Sequence, residues 1–460
     1  MQKLLERVLK KIEPNEKELK AEEKIAKEII SRIKKIEGKH VDVSLAGSLA
    51  RQTHLKNDRD LDIFVMFPEH LEREEFEKEG LRIGKIVFKG HKWEEAYSEH
   101  PYIRGNIRGF DIEIIPSYKV KNCDEIKSAV DRTPFHNQYL LRKLSEQQKK
   151  EARLLKQFLK GIKCYGADLK VSSVPGIVAE LLVVKFGTFE NVLKNASEWK
   201  KGEIIDIENH WGNEIEAVRK KFNHHLIVID PTDKNRNVAA ALSFEQYCRV
   251  IAAARAFLKK PSENFFFGKK IKLLSIHNAK KLLEEKDIIA VKIPYPSKAL
   301  SDIIYGQIKK LARKISNQLS LNEFEIVRTS EWTDESKNIV LLVELESFEI
   351  EIIKKHFGPE VTDFEHQKRF LEENKNIVGG PRIENGRLVV EKRRKFWNAK
   401  LFSKDFLKKE KIVEKMPLKK TLSKARILEN HEIISFFKQN KKFAEFLTTY
   451  LKGKEDFLDY

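Results

Sequence analysis

The chain has 460 residues, 41% of them hydrophobic and 35% charged, with 89 Lys and Arg against 70 Asp and Glu and a formal net charge of +19. That length and apolar fraction can fill real cores, which excludes a disordered or low-complexity chain and implies about two to four domains. The basic excess favours a polyanionic partner, nucleic acid first, although a Lys- and Glu-rich thermophile surface would give a similar balance.

Three widely spaced cysteines, Cys123, Cys164 and Cys248, include no Cys-x-x-Cys pair for zinc and suit a reducing interior. The N-terminus MQKLLERVLKKIEPNEK is charged throughout and no apolar run approaches transmembrane length, so a soluble, cytoplasmic protein is expected. Residues 1–36 read as two amphipathic helices. Leu4, Leu5, Val8, Leu9 and Ile12 make the first apolar face, Pro14 interrupts, and Ile25, Ile29, Ile30 and Ile33 make the second.

The stretch VDVSLAGSLARQTHLKNDRDLDIFVMF, residues 41–67, organises the rest. Val41, Val43 and Leu45 alternate with polar residues as in a half-buried strand. Gly47-Ser48 then permits a tight turn and close backbone approach, and the short helix expected next would offer free N–H groups to an anion. Ser48 adds a hydroxyl and Arg51 a fork of donors suited to phosphate. The chain returns through Asp60-Leu61-Asp62 into an apolar strand. Residues i and i+2 of a strand point the same way, roughly 7 Å apart, so Asp60 and Asp62 project together toward the Gly-Ser turn. Hard carboxylate oxygens suit Mg²⁺. Alone, Gly-Ser is uninformative and Asp-x-Asp is ordinarily a solvated turn. In combination, with Arg51 between them, they resemble the nucleotidyltransferase superfamily of DNA polymerase beta, poly(A) polymerases and tRNA CCA-adding enzymes.

Residues 81–120 read as strands, from Ile83, Ile86 and Phe88 to the run Phe110-Asp111-Ile112-Glu113-Ile114-Ile115-Pro116. The superfamily places a third metal carboxylate on a neighbouring strand. The resemblance puts it at Glu113, where the family usually has Asp, with Asp111 on the same face as a rival. The next segment, SAVDRTPFH at residues 128–136, reads as a helix followed by a Pro-containing turn. It is similar to a stretch of archaeal-type (class I) CCA-adding enzymes, and the resemblance implies that His136 contacts the nucleotide's phosphates. Residues 146–165 form a basic helix whose apolar stripe is Leu154, Leu155, Phe158 and Leu159. Lys156 lies off that stripe, and Tyr165-Gly166 follows. A lysine so placed is usually solvated; the matching family pattern implies that Lys156 meets the triphosphate and Tyr165 the nucleotide. Residues 171–190 read as a helix opened by Pro175-Gly176, mainly core, with Pro-Gly-Ile where relatives usually carry Ser-Gly-Tyr.

Residues 227–240, IVIDPTDKNRNVAA, read as strand, turn and helix start, and resemble the family's D-P-x-D-x-x-R-N-V-A-A. By that resemblance Arg236 and Asn237 face a base edge, and Arg236 is the candidate for selecting C and A. On the residues alone, Asp230, Asp233 and Asn237 could equally build the turn. After Pro261 the composition shifts and strands mix with helices. Residues 391–460 read as helical and basic, with Lys392, Arg393, Arg394 and Lys395, then Lys408, Lys409 and Lys411, in clusters. Such runs are usually solvated faces; here they could position an RNA backbone.

The expected fold is a multidomain α+β chain. It comprises a polymerase-beta-like nucleotidyltransferase head (1–145), a helical central domain for nucleotide and base recognition (146–262), an α+β body (263–390) and a helical, tRNA-binding tail (391–460). The resemblance implies addition of C, C and A to the 3′ end of tRNA from CTP and ATP, with Mg²⁺ held by Asp60, Asp62 and Glu113. The nucleotide would be held by Gly47, Ser48, Arg51, His136, Lys156, Tyr165, Arg236 and Asn237, and a homodimer is expected by family analogy. The rivals are a poly(A) polymerase or oligoadenylate synthetase on the same head, or an RNA-binding protein that has lost catalysis, which only the Glu113 departure favours.

Overall fold

The computed structural model describes residues 1–38, 40–97, 99–167, 172–296, 301–409 and 417–458. Two compact units emerge: Met1–Lys269, joined by the C-terminal residues from Glu455 on, and Lys270–Lys454. No helix among the described residues is long and apolar enough to cross a membrane. The mixed α+β architecture agrees with the sequence expectation.

In the first unit, helices α1 (Gln2–Ile12) and α2 (Glu16–Glu37) precede strand β1 (Asp42–Ala46) and the single-turn helix α3 (Gly47–Ala50). A capping box between Asn15 and Glu18 starts α2. Strand β2 (Asp60–Pro68), helix α4 (Arg73–Val87) and strands β3 (Trp93–Tyr97), β4 (Pro101–Ile107) and β5 (Phe110–Lys119) follow. The sheet runs β1-β2-β5-β4-β3. Its central pair, β2 and β5, is parallel, and β1 is antiparallel to β2. Leu61, Ile63, Val65, Ile112 and Ile114 pack with Ile29 and Ile33 of α2 and Phe76 and Ile83 of α4. Because side chains alternate along a strand, that packing turns Asp60, Asp62, Asp111 and Glu113 to the opposite face.

Residues 81–87, expected as strand, are the second half of α4. Phe76, Gly80, Ile83, Gly84 and Val87 are buried along one helical face, and that three-to-four spacing, not their β-branching, decides the element. The order of helix and proline at 128–136 is likewise reversed. Ala129–Arg132 form one 3-10 turn, and Pro134 stands at the start of helix α5 (Thr133–Lys143), where its missing N–H costs nothing.

Helices α6 (Glu146–Gly161), α7 (Gly176–Phe186) and α8 (Phe189–Ser197), strand β6 (Glu203–Ile205), helix α9 (Ile215–Phe222), strands β7 (Leu226–Asp230) and β8 (Asp233–Asn237), and helices α10 (Phe244–Lys259) and α11 (Asn264–Phe267) complete this unit. Phe158, Phe189, Phe257 and Phe266 meet at the centre of the helical core, to which α1 contributes Leu4, Val8 and Ile12. The helix start expected at Arg236 is instead a tight hairpin of β7 and β8. The C-terminal segment returns here: Glu455 pairs with Arg249 at 2.6 Å.

The second unit contains helix α12 (Ile276–Glu284), strand β9 (Asp287–Pro294), helix α13 (Ser301–Leu321) and strands β10 (Ile326–Thr333), β11 (Asn338–Leu345) and β12 (Ile353–Glu360). Helix α14 (Phe364–Glu373), strands β13 (Gly379–Glu384) and β14 (Arg387–Arg393), helices α15 (Ala399–Lys409) and α16 (Lys419–Leu422), strand β15 (Arg426–Leu428) and helices α17 (Asn430–Gln439) and α18 (Lys441–Lys452) follow. The sheet β10-β11-β9-β15 is buried on both faces: Ile289, Val291 and Ile293 enter one core, Ile288 and Ala290 the other. A smaller sheet, β12-β14-β13, packs Leu388 and Val390 against Phe370 of α14. Lys411 of the basic tail lies outside the described residues.

Candidate active site

Strand register brings the carboxylates together. Along the parallel pair β2 and β5, Asp60 stands beside Asp111 and Asp62 beside Glu113. On the other side, Ala46 of β1 faces Asp62, so the chain turns at Gly47 directly over that carboxylate. Gly47 has φ +73°, and a Cβ there would lie 2.0 Å from Asp62 Oδ2. Only glycine fits this turn.

The carboxylates raise one another's proton affinity. Burial first, then Asp60, pushes Asp62 up to about 6 against the opposing charge of Arg51. Burial and Asp62 push Glu113 up to about 7, opposed by Arg104 and by a 3.3 Å hydrogen bond from the Tyr102 hydroxyl. Asp60, more open, is raised by burial, Asp58 and Asp111. Asp111 is exposed and accepts a 2.8 Å bond from Asn106 Nδ2. Asp60, Asp111 and Glu113 line a cleft of about 630 Å³ together with Trp93, Arg104 and Asn106. Among the described residues no group of three or more His, Cys, Asp or Glu side chains is disposed to hold a metal ion as it stands; what β2 and β5 bring together is two neighbouring pairs, Asp60 with Asp111 and Asp62 with Glu113. Their hard oxygen donors and mutual repulsion, which a dication relieves, fit a divalent metal ion.

A second cluster lies behind the turn. Arg51, which follows α3, is buried, donating from Nε to Glu180 Oε2 at 2.7 Å and from Nη1 to Asn137 Oδ1 at 3.1 Å. Lys156 of α6, 1% exposed, donates to Glu180 Oε1 at 2.6 Å and to Thr53 Oγ1 at 3.0 Å. Glu180 is held down at about 2: burial opposes this, and Lys156, Arg51 and Thr53 override it. The Tyr165 hydroxyl sits against the start of α7, where a Cβ on Gly176 would lie 2.8 Å from it. Burial, then Glu180, pushes that phenol above its usual range, so it stays a neutral donor.

The third cluster centres on Asp230 at the end of β7. Its Oδ2 meets His136 Nε2 at 2.6 Å and accepts from Arg236 Nη1 at 3.3 Å, while Oδ1 accepts from the N–H and hydroxyl of Thr232 at 2.9 and 2.8 Å. Burial would raise Asp230; the bonds from His136 and Thr232 outweigh it and hold the carboxyl at about 2. His136 is buried inside α5, not in a loop. Asn237, expected to face a base edge, is bonded within the hairpin. Its Oδ1 accepts from the N–H groups of Val228 and Ala239 and its Nδ2 donates to the Leu226 carbonyl, so its amide braces the hairpin, while Arg236 remains part-exposed.

The structure thus gathers Asp60, Asp62 and Glu113 at one strand pair, with Gly47 and Ser48 in the adjoining turn. Arg51 and Lys156 converge on Glu180, with Tyr165 at the same helix start, and His136 and Arg236 converge on Asp230. Glu180 was missed as an organising residue, and Asp230 was read only as a turn builder, without its partners His136 and Arg236. For Glu180 a signal existed: one carboxylate in the apolar helix GIVAELLVVKF requires a buried partner.

Residues 23–136 match the family described as nucleotidyltransferase domain, residues 150–267 that described as tRNA nucleotidyltransferase, second domain, and residues 285–435 that described as CCA-adding enzyme, C-terminal domain. The chain is 35% identical over 402 residues to the CCA-adding enzyme of Methanosarcina mazei, covering 85% of this chain and 86% of that one. It is 37% identical over 402 residues to that of Saccharolobus shibatae (87% and 90% covered) and 31% identical over 408 to that of Methanothermobacter thermautotrophicus (87% of each). On these matches, the chain belongs to the CCA-adding enzyme family of the nucleotidyltransferase superfamily.

Proposed function

We propose that this protein completes tRNA, adding C, C and A to the 3′ end from CTP and ATP without a nucleic-acid template. In each step the tRNA 3′ hydroxyl gives up its proton to solvent as its oxygen bonds to the α-phosphorus, the bond to pyrophosphate breaks, and pyrophosphate leaves. The observation that supports this reading best is the register of Asp60-x-Asp62 against Asp111-x-Glu113 beneath the Gly47 turn. Asp60, Asp62 and Glu113 would hold the divalent ions, Mg²⁺ being the expected metal. A bound ion supplies charge that favours the attacking hydroxylate and the departing pyrophosphate.

The chain's own groups do the rest. Ser48 and Tyr165 offer hydrogen bonds to the triphosphate, and Arg51 and Lys156 place positive charge where negative charge collects in the transition state. Asp230 aligns His136 toward the phosphates and holds Arg236 toward the base edge, and Asn237 fixes the hairpin that carries Arg236. The four segments 1–145, 146–262, 263–390 and 391–460 divide the work into catalysis, nucleotide recognition, RNA binding and tRNA-backbone contact, the last through the basic cluster Lys392–Lys395. A cytoplasmic setting and a homodimer accord with this role.

Replacement of Asp62 by Ala tests the assignment. The expected result is loss of CMP and AMP incorporation with tRNA binding intact; retained turnover would overturn it.

A further inference from the structure

Glu180 is fully buried in the middle of α7, in a helix otherwise apolar from Gly176 to Val184. A carboxylate in that setting is unfavourable unless paired. Its partners come from separate elements: Arg51 and Thr53 from the loop after α3, and Lys156 from α6. Tyr165 stands over the start of the same helix, Asn137 of α5 holds the far side of Arg51, and Asp58 and Asp60 act at longer range. Two cations face one anion inside the cluster, and the Lys156 ammonium directs its three donors to the Thr53 carbonyl, the Thr53 hydroxyl and Glu180.

We propose that Glu180 is a positioning residue for nucleotide binding: it orients the Arg51 guanidinium and holds the Lys156 ammonium in place for the triphosphate. This rests on reading Arg51 and Lys156 as phosphate-binding groups. Arg51 has Nε on Glu180 and one Nη on Asn137, which fixes the plane of its fork. Lys156 is 1% exposed. Burial drives its proton affinity down and Glu180 opposes that effect. Without the carboxylate, a buried lysine relaxes to the neutral amine, and the phosphates lose a charge without losing a side chain.

Glu180→Gln preserves shape and removes the charge. The expected result is a KM for CTP and ATP raised roughly 10–100-fold, with kcat changed less and tRNA affinity unchanged. The KM of the variant should also depend on pH differently from that of the unsubstituted enzyme, because the carboxylate that opposes deprotonation of Lys156 is gone. Glu180→Asp, which keeps the charge, should restore the original pH dependence with a smaller rise in KM. A KM unchanged in Glu180→Gln, or raised with an unaltered pH dependence, would overturn the proposal. Should Glu180→Gln fail to fold, Glu180→Asp decides, a raised KM with kcat retained supporting the proposal and an unchanged KM overturning it. Lys156→Met separates the two claims: an unchanged KM there would defeat the phosphate assignment itself.

Discussion

The Cβ that Gly47 lacks would stand 2.0 Å from Oδ2 of Asp62. The turn and the carboxylate therefore occupy one shared space, and the backbone there also holds φ at +73°. Gly47→Ala must both displace Asp62 and strain the turn. Misplacing a reacting group by about 1 Å can cost roughly a hundredfold in rate, whereas the left-handed conformation costs a residue with a Cβ only about 1–2 kcal/mol. Single-turnover incorporation is expected to fall at least about a hundredfold with the fold retained in thermal unfolding.

Glu113 and Asp111 share a strand face but not an environment. Glu113 stands beside Asp62, is more buried, and feels that carboxylate most strongly after burial itself. Asp111 is exposed and engaged by Asn106. Glu113→Gln should therefore abolish incorporation, whereas Asp111→Asn should lower it by less than about tenfold, the scale of an exposed charge interaction. Steady-state rates of the two variants side by side check this, and the reverse ranking would move the metal site to Asp111.

The raised carboxylates set a pH dependence for metal binding. Asp62 at about 6 and Glu113 at about 7 hold protons that the unfolded chain, with its ordinary carboxylates, has already released. Between pH 4 and pH 7, on the order of those values, the folded state binds more protons, so this site's contribution to stability falls as pH rises. A divalent ion needs both groups ionised and reverses that trend. Thermal unfolding should show Mg²⁺ raising the Tm more at about pH 7.5 than at about pH 5.5, with EDTA abolishing the difference. An equal shift at both values would contradict the assignment of Asp62 and Glu113.

The legible part of this protein was local. Asp60-Leu61-Asp62 before an apolar run announces β2, Gly47-Ser48 announces the turn, and Pro175-Gly176 opens α7, because each signal lies within a few residues of what it specifies. Residues 81–87 misled because β-branched side chains also suit a helix face when buried on one side, as Ile83 and Val87 are. At Arg236 the turn was legible, since Asp230 and Asn237 bond back to the chain as turn-building residues do, but the helix start expected there is strand β8. Glu180 reaches Arg51 across 129 positions and His136 reaches Asp230 across 94. No periodicity or spacing rule carries a pairing over that distance; only folding makes it.

The most direct test of the account uses a tRNA transcript lacking its 3′ CCA, incubated with the protein, Mg²⁺, and CTP or ATP singly and together, with products resolved at single-nucleotide resolution. The account expects addition of C and C with CTP alone, and of C, C and A with both nucleotides. A long ladder with ATP alone would instead make the protein a poly(A) polymerase, and no extension with the RNA still bound would make it a binding protein on a polymerase scaffold.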